Sequence, residues 1–222
     1  MDVLILCGGR GTRLNGERPK PLIEVAGRPI VWHVVSIYAA QGFREFVLLT
    51  GYKGEEIAAL SAWPAGVAVE CVDTGVDTPT GGRVHAVRER LGATFCLTYA
   101  DGVADIDLAA LLDHHRTAGA LATMTVVRPE LPFGVAELDG GRVRAFREKP
   151  VSEHWVNGGF LVLEPGALDY LNGDSVLERE PLERLAADGA LTAYRHEGFW
   201  RCLDTAKDAI ALENADPSRW LA

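Results

Sequence analysis

The sequence predicts an α/β protein: a doubly wound, mostly parallel sheet with an α+β C-terminal half packed on it. Three observations lead there. Over the first 130 positions short β-branched runs alternate with helical patterns, the rhythm of βαβ units. A glycine-rich turn, Gly8-Gly9-Arg10-Gly11, follows the first run. After residue 130 the texture changes to hairpin-like and mixed elements.

The strands of the first half are expected at residues 3–7, 45–50, 67–72, 94–99 and 122–127, where Val, Ile, Leu, Phe and Thr concentrate. Helices are expected between them at 29–41, 54–62, 82–91 and 107–117. Pro29 suits a first helical turn, and Gly42 suits the stop that follows. Beyond residue 130, runs at 134–138 and 142–146 flank Asp139-Gly140-Gly141 and read as a hairpin. A strand at 159–163, a helix near 180–187, a strand at 192–195 and a closing helix at 205–214 complete the pattern. The first half is thus Rossmann-like, and ligands of such sheets bind beyond the carboxyl ends of the strands.

Composition limits the function. The 222 residues carry 22 basic and 31 acidic side chains, a formal charge of −9, with 48% apolar residues. A chain this size buries roughly 70% of its unfolded surface and needs neither disulfide nor structural metal. The negative balance argues against a general nucleic-acid or anionic-membrane binder, which needs a basic face. The apolar run near the start, residues 3–7, is too short for a membrane span or signal core. Cys7, Cys71, Cys96 and Cys202 form no CxxC pair and read as buried free thiols of a cytoplasmic protein. His33, His85, His114 and His115 lack a ligand partner at helical spacing and read as surface or capping residues.

Charge is concentrated at the first loop. Between residues 10 and 20, Arg10, Arg13, Arg18 and Lys20 stand against Glu17, four against one for a net +3. Pro19 and Pro21 fix the backbone around Lys20 and remove two N–H donors. Glycines bring amides close to an anion, and a held lysine beside them suits a polyphosphate. A dinucleotide fingerprint would need glycine where Leu14 stands, and a Walker loop would need Gly-Lys-Ser/Thr, which is absent.

These residues, Gly8-Gly9-Arg10-Gly11-Thr12-Arg13-Leu14, Pro19-Lys20-Pro21-Leu22 and Gly27-Arg28-Pro29-Ile30, resemble the signature of the sugar-phosphate nucleotidyltransferases. Further stretches are more similar to the glucose-1-phosphate cytidylyltransferase branch: Asp73-Thr74-Gly75, Thr78-Pro79-Thr80-Gly81-Gly82-Arg83, and Thr98 to Asp105 with Asp101 at its centre. So are Phe133-Gly134, Glu148-Lys149-Pro150, Asn157-Gly158-Gly159-Phe160, Glu178 to Leu182, and Gly198-Phe199-Trp200 with Leu203-Asp204-Thr205.

The resemblance implies one domain, with residues 1–130 as nucleotide-binding half and 131–222 as sugar-phosphate-binding half. It implies transfer from CTP to a sugar 1-phosphate with release of pyrophosphate, the alternatives being a UTP- or GTP-using relative, a cytidylyltransferase for a non-sugar phosphate, and a non-catalytic nucleotide-sugar-binding regulatory paralogue. It implies Arg13, Lys20 and Asp101 in catalysis. Leu6, Gly8, Gly9, Gly11, Thr12, Arg13, Lys20, Thr80, Gly81, Gly82 and Asp101 would bind the nucleotide. Gly134, Glu148, Lys149, Asn157 and Trp200 would bind the sugar phosphate, and Asp101 with Asp204 would hold Mg²⁺. Read singly, several have plainer roles: Asp204 as a helix cap, Glu148-Lys149 as a surface pair, Asn157 as a turn residue. Two departures stand out. The 18 residues between Gly54 and Asp73 are fewer than CDP-glucose-forming members carry there, which leaves the order of the expected homo-oligomer open. Ala100 stands where glycine is expected.

Overall fold

The structure is a computed structural model and describes residues 1–11 and 18–221. In chain order its first elements are β1 (Asp2–Leu6), β2 (Glu24–Val25), β3 (Arg28–Pro29), α1 (Ile30–Ala40), β4 (Glu45–Thr50), α2 (Gly54–Ala58), β5 (Ala68–Asp73) and α3 (Thr80–Ala86). Then come β6 (Phe95–Tyr99), β7 (Gly102–Ala104), α4 (Leu108–Ala118), β8 (Ala122–Val127), β9 (Val135–Asp139), β10 (Arg142–Arg147) and β11 (Val156–Leu163). The chain closes with α5 (Glu180–Ala187), β12 (Leu191–Arg195), β13 (Trp200–Cys202), α6 (Ala206–Glu213) and α7 (Ser218–Leu221).

Seven strands form one sheet in the order β12-β8-β11-β6-β1-β4-β5. All neighbours are parallel except β11, which runs against both β6 and β8. The mostly parallel α/β architecture therefore holds, with one reversed strand, β11, between β8 and β6. That strand comes from the second half of the chain, so both halves share a single sheet.

β1 is buried on both faces, as its uninterrupted apolar run requires. Val3, Ile5 and Cys7 point into a core under α1 and α4, where Val34, Tyr38, Leu108 and Leu111 meet them. Leu4 and Leu6 point the other way, toward Val84 after the start of α3 and Leu182 and Leu185 of α5. Helix ends follow local chemistry. Asp107 caps α4 by accepting from the Ala110 N–H at 2.8 Å, and Gly119 closes it at φ +63°.

The hairpin β9–β10 leaves the sheet edge as a separate two-stranded ribbon, with Leu138 and Phe146 about two-thirds exposed. Helix α2 and helix α3 are shorter than their sequence patterns suggest, and the β7–β13 pair was not expected. Its strands are three residues each, too short for a periodic signal.

Two expectations are corrected here. His33 and His115 are core residues, 1% and 2% exposed. His33 Nε2 bonds the Val25 carbonyl at 2.7 Å, and the Trp220 indole donates to Nδ1 at 3.2 Å. His115 bonds Thr123 Oγ1 and Glu164 Oε1 at 2.7 and 3.1 Å. A polar ring on a helix enters a core when both nitrogens find partners, and one partner of each ring, Trp220 or Glu164, is distant in sequence. Of the four free thiols, Cys7 and Cys96 are buried, whereas Cys71 and Cys202 are partly exposed.

Candidate active site

The carboxyl ends of β1 and β6, the short turn Lys20–Leu22 and the start of α3 surround a cavity of about 420 Å³. It is lined by the glycine loop, Lys20, Thr80, Arg83, Tyr99, Asp101 and Asp204, among others. This is the edge where a parallel sheet leaves room for a ligand, because each strand ends and its connection turns away.

Lys20 reaches the cavity from a turn whose Pro21 and Leu22 are buried, so its stem is anchored. Its ammonium lies 2.5 Å from Asp101 Oδ2 and 2.8 Å from Asp204 Oδ1. Burial works against the ammonium, yet the Asp101 charge and hydrogen bond, with Asp204, hold its pKa above the ordinary lysine value. Lys20 is therefore charged throughout the neutral range.

Asp101 arrives directly after β6, where the Ala100 N–H continues the ladder to the Leu6 carbonyl at 3.3 Å. Asp204 arrives after β13, and the Leu203 N–H donates to the Asp101 carbonyl at 2.8 Å. Leu203 is fully buried, so by alternation Cys202 and Asp204 face the opposite way. Asp204 does not cap the last helix. Thr205 does so, with Asp208 completing a capping box. The Asp204 carboxylate meets the Lys20 ammonium instead.

Asp101, Cys202 and Asp204 each offer a donor atom, and the three atoms lie within 4.8 Å of one another. Two carboxylates that already share a cation, the Lys20 ammonium, are a donor set that fits a divalent metal. Burial, then the Asp101 and Asp204 charges, push the Cys202 thiol well above its ordinary pKa.

Arg83 carries a role not apparent from the sequence. It is 4% exposed and its guanidinium ties together three segments of the chain. It donates to the Thr50 carbonyl at 2.7 Å, Thr74 Oγ1 at 2.6 Å, the Gly75 carbonyl at 2.8 Å and the Gly8 carbonyl at 3.1 Å. A Cβ at Gly8 would stand 2.0 Å from the guanidinium carbon, and one at Gly51 2.6 Å from a guanidinium nitrogen. Gly8 is thus glycine because an arginine passes beside it, not only because an anion would. A second unexpected link is Glu178, which accepts from the Tyr99 hydroxyl at 2.6 Å and the Thr80 hydroxyl at 2.7 Å. Burial, then Glu178, raise the Tyr99 pKa, so its hydroxyl remains a donor.

Of the residues picked from the sequence, Leu6, Gly8, Gly9, Gly11, Lys20, Thr80, Asp101 and Asp204 line this one cavity. Thr12 and Arg13 lie outside the described residues. Gly81 and Gly82 belong to the first turn of α3, but a Cβ there would strike Ser175 or the Gly173 carbonyl. Their smallness serves the packing of that loop against α3. Asn157 accepts from the Gly159 N–H at 2.9 Å, and its side chain interacts with Tyr99, a residue of the cavity lining. Trp200 donates to the Gly158 carbonyl at 2.7 Å. Gly134 packs on Phe146 and Glu148 at the base of the hairpin, followed by Lys149 at φ +45°. None of the five residues expected at the sugar phosphate, Gly134, Glu148, Lys149, Asn157 and Trp200, is among the cavity's lining residues.

Comparison with known proteins agrees with this geometry. The model of the nucleotidyl transferase family matches residues 2–203. The chain is 40% identical to a probable glucose-1-phosphate cytidylyltransferase of Bacillus subtilis (strain 168), covering 96% of this chain and 94% of that one. It is 38% identical to the glucose-1-phosphate cytidylyltransferase of Salmonella typhi, covering 96% and 95%. A mannose-1-phosphate guanylyltransferase of Mycobacterium tuberculosis is 33% identical, with 95% of this chain but 63% of that one covered. Among solved structures, HddC from Yersinia pseudotuberculosis, complexed with GMP-PN, superposes with a TM-score of 0.76 over 96% of this chain and 97% of that one, at 19% identity. A putative glucose-1-phosphate thymidylyltransferase from Bacillus anthracis gives 0.72 over 97% and 96%, at 16% identity. The last two likenesses bear on the fold, while the family match and the 40% identity bear on the chemistry. The chain belongs to the nucleotidyl transferase family and is an enzyme of its sugar-1-phosphate nucleotidyltransferase group.

Proposed function

We propose that the chain joins CTP and a sugar 1-phosphate, glucose 1-phosphate in the first instance, to give a CDP-sugar and pyrophosphate. The observation that carries this reading is the Lys20 ammonium seated between Asp101 and Asp204 beside the glycine loop. The identity to cytidylyltransferases, higher than that to the guanylyltransferase named above, supports CTP.

The reaction is in-line attack by a sugar-phosphate oxygen on the α-phosphorus, with pyrophosphate leaving. Substrates supply both nucleophile and leaving group, so the protein contributes alignment and charge neutralisation. Two like charges ~4 Å apart repel by about 4 kcal/mol at an effective dielectric of 20. Lys20 offsets this repulsion with a cation that stays protonated, and Arg13 is assigned the same task. The amides of Gly8, Gly9 and Gly11 cradle the phosphates, and Thr80 holds the nucleotide side of the cavity. Asn157, with Gly134, Glu148, Lys149 and Trp200, is assigned to the sugar phosphate. Asp101 and Asp204 would hold Mg²⁺, which when bound supplies further positive charge to the phosphate oxygens.

The deciding experiment is a pyrophosphate-release panel: four nucleoside triphosphates crossed with glucose, mannose, heptose and aminosugar 1-phosphates, with phosphocholine added. Release with CTP and glucose 1-phosphate is expected. Release only with another nucleotide overturns the choice of base, and none at all overturns the catalytic reading.

We also read the chain as a cytoplasmic homo-oligomer. Its four free cysteines suit a reducing compartment. The exposed Phe133, Leu138, Val143 and Phe146 suit an oligomer, whose order light scattering would measure. Among the described residues no helix is long and apolar enough to cross a membrane.

A further inference from the structure

The two carboxylates of the cation site come with a sulfur. β13 pairs with β7 so that Cys202 stands opposite Gly102, the residue after Asp101. The buried Leu203 turns Cys202 and Asp204 to the same side, and the Leu203–Asp101 backbone bond holds both strands in that register. The thiol is partly exposed, and its sulfur lies within 4.8 Å of a carboxylate oxygen of Asp101 and of Asp204.

We propose that the Cys202 sulfur is a third donor of this site, so that the chain takes borderline divalent cations of the Co²⁺ and Zn²⁺ class on a mixed oxygen–sulfur set, in competition with the Lys20 ammonium. The inference rests on the reading of Asp101 and Asp204 as metal carboxylates. Mg²⁺ prefers oxygen donors and gains little from sulfur, whereas Zn²⁺ and Co²⁺ accept thiolate together with carboxylate. Donors about 2.0 Å (oxygen) and 2.3 Å (sulfur) from one ion in tetrahedral geometry are roughly 3.5 Å apart. Contracting the observed triangle to that size takes side-chain movement of about an ångström, with no change of register.

On coordination the sulfur–metal bond replaces the S–H bond, and the proton leaves to solvent. No electrons are exchanged. The ammonium, still protonated, is released from the carboxylates, since both cations use the same oxygens. A cation so held would occupy the two carboxylates that Mg²⁺ would use. Zn²⁺ is therefore expected to inhibit Mg²⁺-supported turnover.

The test uses the full chain titrated with Co²⁺ and followed in the near ultraviolet, where sulfur-to-cobalt charge transfer absorbs. One equivalent of band is expected in the wild type. It should vanish in Cys202→Ser and Cys202→Ala and persist in Cys71→Ala, which removes the other partly exposed thiol. Zn²⁺ affinity, read by competition with Co²⁺, should fall at least about tenfold in Cys202→Ser, the lower end of what loss of a supporting residue costs. Lys20→Ala should bind Co²⁺ more tightly. Absence of the band in the wild type, or its persistence in Cys202→Ser, overturns the ligand assignment. Unchanged Co²⁺ affinity in Lys20→Ala overturns the competition. A band with no pyrophosphate release from any substrate pair leaves the metal inference standing and sinks the catalytic one, and the reverse result does the opposite.

Discussion

In the proposed reaction Lys20 carries the most weight, because one ammonium serves two carboxylates at the edge of the cavity. Lys20→Ala removes that charge without opening the core, since Pro21 and Leu22 carry the local packing. Turnover is expected to fall by about 10²–10³-fold, as for loss of one preorganised donor, with the circular-dichroism melt little changed. A steady-state assay under saturating substrates checks this. The raised Lys20 pKa means its charge is fully present below the unfolded value near 10.4 and is lost only above it. An alkaline limb of the rate profile below pH 9 therefore belongs to another group. Arg83 belongs to a different class, since its partners are backbone carbonyls of the loops rather than carboxylates. Arg83→Met strands those buried acceptors and is expected to cost about 3 kcal/mol or more in urea unfolding. Arg83→Lys should recover less than half of it, because one ammonium cannot reproduce the planar fork that serves three segments.

At the scale of elements, helix α1 shows how a nearly all-apolar helix tolerates a titratable ring. His33 is held neutral by its two bonds, with Nε2–H donating to Val25 and Nδ1 accepting from Trp220 of α7. Burial lowers its pKa, and the Val25 bond only partly opposes that. A depressed pKa gives full stability above the unfolded value of about 6.5 and loses it as pH falls through the folded value. Unfolding free energy measured in urea should therefore drop more steeply between pH 7 and pH 5 in the wild type than in His33→Leu. The difference in slope is bounded by about 1.4 kcal/mol per pH unit, one proton's worth. Equal slopes would show that His33 titrates alike in both states. The capping box of α6 matters to function at the same scale. Thr205 and Asp208 satisfy the helix end, so the Asp204 carboxylate is not needed as its cap.

For the molecule as a whole, the reversed strand β11 lies between β6 and β8 and bonds to both. A chain ending at residue 130 would keep β8 but remove the strand joining it to the rest. Phe95, Leu97 and Val126 would lose their shelter, and such a chain is expected to lack a cooperative thermal transition. A sharp two-state melt of residues 1–130 would contradict this.

The order of strands and helices, the hairpin and the cluster of charge around Lys20 were legible in the sequence, because periodicity, turn chemistry and local charge act over a few residues. Helix α2 ended early, at Ala58, for reasons its pattern did not reveal. The reversal of β11, the burial of His33, the bracing of Gly8 by Arg83 and the meeting of Cys202 with two aspartates were not legible. Each depends on a partner tens of residues or more away, and only packing of the closed sheet determines which distant groups become neighbours. The sequence by itself thus determined the elements and most of the charged groups that face the cavity. The tertiary structure decided which oxygens share a cation, and which side chains hold them there.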